Sequence, residues 1–304
     1  VTVADIYLEP RTVDAAVQAL AEHGAGATLV AGGTDLVVLA RKRRVPLADV
    51  LIALHRVDGL HGIDRATGGH DATIASASGL RIGAATPHAE IERHPDILAR
   101  FTALADGSAL VGSPATRHVG TIGGNLANAS PANETGSPLL VFGAVVELTS
   151  KGGTREVGIA EFFEGPGMTA LRPGELIASV TLPGRTGVIG SAYIRLDYRQ
   201  AMEIAVVGAA AMVDLDDEGL IADARLALTA VAPTCIEVPG VGDALRGRDL
   251  ADPASWEDVG RRAAEAAVPI DDVRAPAAYR AAMVPVVVRR AFDLAVRRAR
   301  GEAT

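Results

Sequence analysis

Two glycine-rich segments constrain this chain more than any other feature: Ala31-Gly32-Gly33-Thr34-Asp35 and Gly120-Thr121-Ile122-Gly123-Gly124-Asn125. Each sets a Gly-Gly pair beside a threonine and a short polar side chain. Glycine in an ordered segment costs about 0.5–1 kcal/mol against alanine, so adjacent pairs mark backbone that turns sharply or approaches something closely. Consecutive free backbone N–H groups form a concavity that takes an anion such as a diphosphate. Each pair also follows an apolar stretch, Thr28-Leu29-Val30 in one case and Val119 in the other. One such segment alone reads as a tight loop. Two of matching chemistry predict a dinucleotide held between two turns, with the N–H groups of both facing phosphate oxygens.

The pattern around them places the turns in a mixed fold. Thr12 is a candidate N-cap for a helix whose face is Val13, Ala16, Val17 and Leu20, with Gly24 as its stop. Strands are expected over Ala27–Ala31 and Val50–Leu54, and a half-exposed one over Thr73–Ala84. Pro87 starts a helical region that runs to about Val111 with a break near His94-Pro95. No long helix is expected at Gly123-Gly124, and no GxGxxG follows a strand, which disfavours a Rossmann site. From Ala144 onward the reading changes to strands: Val145–Thr149, Arg155–Ile159, Ile177–Leu182, Ala192–Leu196, Ala205–Val213 and Ala224–Val231. Pro183-Gly184-Arg185-Thr186-Gly187 is the expected boundary between domains at 1–184 and 188–304. Helices close the chain around Asp258–Ala267 and Ala277–Arg300, the last with an apolar face (Val288, Phe292, Ala295) and a solvated basic one (Arg289, Arg290, Arg297, Arg300). Arg41-Lys42-Arg43-Arg44 reads as a solvated helix end.

Composition excludes several functions. A net charge of −8 and 3% aromatic residues argue against a nucleic-acid partner. The single cysteine, Cys235, cannot form an internal disulfide, cannot supply a cluster and fits a reducing compartment, so a cytoplasmic location is expected. The seven histidines show no ligand spacing and read as surface or turn residues, and no metal site is expected. Neither a leader nor a membrane span is expected.

The glycine segments, extended to Ala31–Leu36 and Thr121–Leu126, are accompanied by further motifs. These are Phe162-Phe163-Glu164-Gly165-Pro166-Gly167 with Pro173-Gly174-Glu175-Leu176-Ile177, then Arg199-Gln200-Ala201-Met202-Glu203-Ile204-Ala205, and Asp272-Val273-Arg274 followed by Tyr279-Arg280. Together, over essentially the whole length, the chain resembles the FAD-binding medium subunit of the molybdenum hydroxylases, the xanthine dehydrogenase and carbon monoxide dehydrogenase group. The resemblance implies an α+β protein: a two-lobed FAD-binding domain of the vanillyl-alcohol oxidase and MurB-like type, then a smaller C-terminal α+β domain with an antiparallel sheet and helices. It implies FAD on this chain, [2Fe–2S] clusters on a small partner subunit and the molybdenum cofactor on a large one, paired as a dimer of heterotrimers.

The resemblance also assigns residues. Leu29, Val30, Ala31, Gly32, Gly33, Thr34 and Asp35, with Thr121, Ile122, Gly123, Gly124 and Asn125, would surround the FAD diphosphate and ribityl chain. Glu134 stands where relatives usually carry Asp, and is either a ribose or adenine contact or a solvated loop residue. Arg195 falls where some relatives carry Lys near the isoalloxazine, and is otherwise an outward strand residue. Ile204 would sit against the ring, or simply in the core; Val111 and Ile177 match packing positions and could equally be core. No residue is assigned as a proton-transfer catalyst. The implied activity is that of an oxidoreductase subunit passing electrons from partner clusters through FAD, which couples one- and two-electron transfer, to NAD⁺, a quinone or oxygen. The readings left beside it are a stand-alone MurB-like flavin reductase and a non-catalytic assembly subunit.

Overall fold

Thr12 does open the first helix. Its side chain accepts from the Ala15 N–H, the helix Val13–His23 turns Ala16, Val17 and Leu20 inward, and Gly24 at φ 50° ends it. The computed structural model describes residues 4–42, 47–66, 79–199, 202–249 and 253–302. The helix packs on a three-stranded parallel sheet in the order Ile6–Leu8, Val50–Ala53, Ala27–Val30. The first glycine turn therefore leaves the carboxyl end of a parallel strand, the usual mouth for a ligand in an open α/β layer.

A second lobe is built on a five-stranded antiparallel sheet: Ile63–Arg65, Leu80–Gly83, Leu176–Leu182, Val145–Ser150 and Gly153–Gly158. Of the strand expected over Thr73–Ala84, Leu80–Gly83 is observed, and 73–78 lie outside the described residues. The helical region divides at His94-Pro95 as expected, into His88–Ile91, Pro95–Arg100 and Thr102–Leu110. The first lies between strand and second glycine segment, so it is part of the cleft described below.

The last sheet is antiparallel, Val188–Leu196, Val207–Leu215, Ile221–Thr229 and Ile236–Glu237, and it is buried on both sides. Along Val207–Leu215 the two-residue period decides the destination of each side chain. Ala209, Ala211 and Val213 meet the helices Pro253–Ala266 and Ala277–Ala299. Ala210 and Met212 join Tyr193, Leu104 and Phe142 in the core of the second lobe. Burial on two faces is why this strand reads as an almost unbroken apolar run. An ion pair ties the layers together, Arg298 donating to both oxygens of Asp106 at 2.7 and 3.0 Å and to the Ser191 carbonyl. Arg289, Arg290, Arg297 and Arg300 are exposed, as a solvated face requires; Arg43 and Arg44 lie outside the described residues.

Cys235 sits in the seam between these layers. It is 6% exposed, with its thiol near the Asn133 carbonyl and the Thr229 hydroxyl. Burial pushes the thiol up to about 12, so almost no thiolate exists near neutrality and the group is inert. The folded chain is expected to resist an aromatic disulfide reagent at pH 8 and to react with one equivalent once denatured. Fast labelling of the native chain would show that this seam opens.

Candidate cofactor-binding site

The two glycine segments face each other across a cleft of about 900 Å³, its open mouth included. They nearly touch at one point. A Cβ on Gly32 would lie 2.0 Å from the Val119 carbonyl oxygen, so only glycine lets the first turn meet the second segment there. Gly33 follows at φ 66°, a left-handed conformation that side chains resist. The kink leaves the N–H groups of Gly32, Gly33, Thr34 and Asp35 without a partner among the described residues. These donors line the cleft, with the Thr34 hydroxyl beside them. Leu29, Val30 and Ala31 form the adjoining wall. The first turn thus has the row of free backbone donors that an anion cradle requires.

The second segment is built differently from what its glycines imply. It is the first turn of a short helix, Ile122–Asn128, capped by the Thr121 side chain. Four of its N–H groups are already occupied: Ile122 donates to the Thr86 carbonyl at 3.1 Å, Gly123 to Ala84 at 2.8 Å, Gly124 to the Thr121 hydroxyl at 3.1 Å and Asn125 to the Thr121 carbonyl at 3.0 Å. The expectation that both segments present backbone donors to phosphate is corrected for Ile122 to Asn125. The glycine at position 123 serves close packing, since a Cβ there would come within 2.7 Å of the Ala84 Cβ and oxygen. What the second segment offers the cleft is side chains. Thr121 and Asn125 line it, and Asn125 Oδ1 accepts from the Thr135 hydroxyl at 2.8 Å, leaving the amide nitrogen as the outward donor. Ile122 is fully buried in the core and does not line the cleft.

An apolar cavity of about 500 Å³ continues from this cleft, the two sharing Leu29, Ala31, Gly124 and Ala127. Leu54, Ala85, Leu171 and Ile177 are among its apolar walls, and Glu175 is the one charged residue among the described residues that line it. Val111 lines the polar part. A row of unpaired donors running into an apolar slot fits a dinucleotide, whose charged diphosphate joins two planar rings. By that test the residues present fit FAD.

Glu134 and Arg195 are brought together, and neither lines the cleft. Arg195 Nη1 lies 2.7 Å from Glu134 Oε1, with side-chain exposures of 2% and 8%. The Tyr193 hydroxyl donates to the other Glu134 oxygen at 2.6 Å. Burial raises the Glu134 carboxyl above its ordinary value, against the charge of Arg195 and the hydrogen bonds from Tyr193 and Arg195. Arg195 also donates to Asp197 and to the Leu110 and Glu203 carbonyls. Leu110 precedes the cleft-lining Val111, so the pair stands as a brace behind the wall. Ile204 is 43% exposed and outside both cavities.

His88 is among the lining residues that escaped the sequence reading. It is buried and lies on the cleft wall, whereas spacing alone placed it among surface histidines. Nothing local marks it; it reaches the site because Pro87 bridges to Thr121, far along the chain. Among the described residues no group of three or more His, Cys, Asp or Glu converges as a metal site, and no helix is long and apolar enough to cross a membrane.

The family model described as "FAD binding domain in molybdopterin dehydrogenase" matches residues 2–185, and that of the "CO dehydrogenase flavoprotein C-terminal domain" matches 192–295. The carbon monoxide dehydrogenase medium chain of Afipia carboxidovorans is 32% identical over 97% of each chain. The 6-hydroxypseudooxynicotine dehydrogenase complex subunit alpha of Paenarthrobacter nicotinovorans is 32% identical over 97% of this chain and 95% of its own. A chain of the cyanide-inactivated Cu,Mo-CO dehydrogenase crystal structure superposes with a TM-score of 0.88 at 30% identity, covering 98% of this chain and all of that one.

Proposed function

This chain belongs to the family of FAD-binding subunits of the molybdopterin dehydrogenases, and from that premise we propose that it passes electrons from iron–sulfur clusters on a small partner subunit to an external acceptor. The observation that carries the reading is the cleft itself, with four unpaired backbone donors at Gly32 to Asp35 opening into an apolar slot. FAD bound there supplies a carrier that takes electrons singly and gives them up in pairs. The chain's own residues do the rest. Gly32 to Asp35 hold the diphosphate by backbone N–H groups, Thr34, Thr121 and Asn125 add side-chain donors, and Leu29, Leu54 and Ile177 keep water from one ring. The Arg195–Glu134 brace fixes the Val111 wall. Residues 1–184 act as the FAD-binding unit and 188–304 as the unit that backs it.

The chemistry on substrate belongs to a large molybdenum subunit, in a cytoplasmic complex of paired heterotrimers whose acceptor is NAD⁺, a quinone or oxygen. Named relatives acting on carbon monoxide and on a hydroxylated nicotine derivative support such a division, because their medium or alpha subunits match end to end while their substrates differ. With a single cysteine this chain has no cluster of its own to offer.

Two results test the reading. Acid precipitation of the flavin-loaded chain is expected to release all the flavin, since no His or Cys stands in either glycine segment; colour left on the precipitate would overturn non-covalent binding. The isolated chain is expected to exchange electrons with an artificial acceptor once reduced, and to hydroxylate nothing. Hydroxylation at full rate without iron or molybdenum would sink the assignment.

A further inference from the structure

Between the short strand Met168–Thr169 and the long strand Leu176–Leu182 the chain has no regular structure, yet it helps to build the apolar cavity. Leu171 and Glu175 line that cavity beside Ile177, and Leu171 packs on the core of the second lobe. Gly174 at φ 84° turns the loop back toward the strand, a conformation glycine takes without strain. Within the loop the Glu175 N–H donates to the Arg172 carbonyl at 3.0 Å, and the Arg172 N–H to Glu175 Oε2 at 2.8 Å. The Ala170 N–H reaches the Phe162 carbonyl at 2.9 Å.

Arg155, on the strand Gly153–Gly158, adds a cross-tie. Its Nε donates to Glu175 Oε1 at 2.7 Å and its Nη2 to Glu175 Oε2 at 2.8 Å, a bidentate pair. The same Nη2 donates to the Ala170 carbonyl at 2.6 Å. One guanidinium therefore grips the loop at both ends, and Leu171 stands between the two points held. Arg155 itself does not line the cavity.

We propose that Arg155 is a positioning residue for FAD: by bridging Glu175 and the Ala170 carbonyl, it holds Leu171 as a wall of the apolar slot that one ring enters. The proposal rests on the reading of the cleft and its apolar continuation as an FAD site. A planar fork suits this task, because it meets two acceptors at fixed angles, whereas an ammonium is a single point charge. The bridge also gives a use to the Pro173-Gly174-Glu175-Leu176-Ile177 motif. Its glycine makes the turn, its glutamate receives the fork, and its isoleucine lines the slot.

The test is a fluorescence titration of the full-length, flavin-stripped chain with FAD, run as a double-variant cycle. Arg155→Met keeps the aliphatic stem and removes the fork, and is expected to weaken FAD about fivefold. Leu171→Ala removes the wall itself and is expected to weaken FAD about tenfold. The double variant should bind no more weakly than Leu171→Ala alone, because Arg155 then has no wall to hold. Losses that multiply overturn the action through Leu171. Wild-type affinity in a folded Arg155→Met chain overturns the role of Arg155 altogether. Arg155→Lys keeps the charge but cannot bridge both acceptors, so it should remain weakened. Full recovery by lysine overturns the bridge. A wild-type chain that takes up no FAD overturns the cleft reading itself, which keeps the two failures apart. Should the Met variant not fold, the Lys variant passes through the same cycle, and wild-type affinity or multiplying losses there overturn the proposal.

Discussion

Gly124→Val is expected to weaken FAD binding with little loss of stability, whereas Gly123→Val destabilises the fold itself. The two residues are neighbours in one helix turn, and both have ordinary negative φ. They differ in what surrounds them. At Gly124 an added Cβ meets only the Thr121 hydroxyl, at 3.1 Å. Valine is no worse than glycine in a helix interior, so stability should be nearly unchanged. Its methyl groups, however, enter the space where the polar cleft joins the apolar cavity, since Gly124 lines both. Filling a close-fitting site costs about 1–3 kcal/mol, which is about 5–150-fold in FAD affinity. At Gly123 the Cβ would press on Ala84 at 2.7 Å, backbone included, and the same overpacking falls on the core, about 1–3 kcal/mol or more of stability. Thermal melts and FAD titrations of both variants check this. Equal loss of stability at the two positions would mean that the second segment is structural throughout.

That contrast also shows which parts of the site are legible in the residues. The free donors of the first turn are readable because their signal is local: a strand, then a glycine pair, then Thr34 and Asp35. The first helix, the strands from Val145 onward and the C-terminal helix are readable for the same reason, each being set by a cap or a short period. The second segment misleads because the same glycine pair has two physical causes. Free donors and close packing both exclude a side chain, and only the position of Ala84 decides between them. Long-range pairing accounts for the remainder. His88 joins the cleft through a bridge between Pro87 and Thr121, and Glu134 meets Arg195 across 61 positions of sequence. The family resemblance gathers the second pair into the site as separate flavin contacts, whereas in the fold they contact each other.

Arg195→Met is expected to be the most destabilising single change in this region, and its cost should depend on pH. Removing one partner of a buried ion pair costs about 3–5 kcal/mol because the other charge stays buried and uncompensated. Glu134 would keep only the Tyr193 hydroxyl. Burial already raises its carboxyl above the ordinary 4.5, and the Arg195 charge and hydrogen bond oppose that rise; without them the folded-state value climbs further. The sign follows from linkage. A carboxyl that binds its proton more tightly folded than unfolded leaves stability intact below the unfolded value and loses it as pH rises through the folded one. The deficit of the variant should therefore be small near 4.5 and full at pH 8. Glu134→Gln in the Arg195→Met background removes the stranded charge, so it should recover much of the loss and flatten the pH dependence. Urea unfolding of wild type, single and double variants at pH 5 and pH 8 measures all three. FAD affinity should also fall in Arg195→Met, because the Leu110 carbonyl loses its guanidinium donor and the Val111 wall its support. A loss below about 1 kcal/mol, the range of an exposed pair, with no change between the two pH values, would show that Arg195 and Glu134 are not the brace the fold describes.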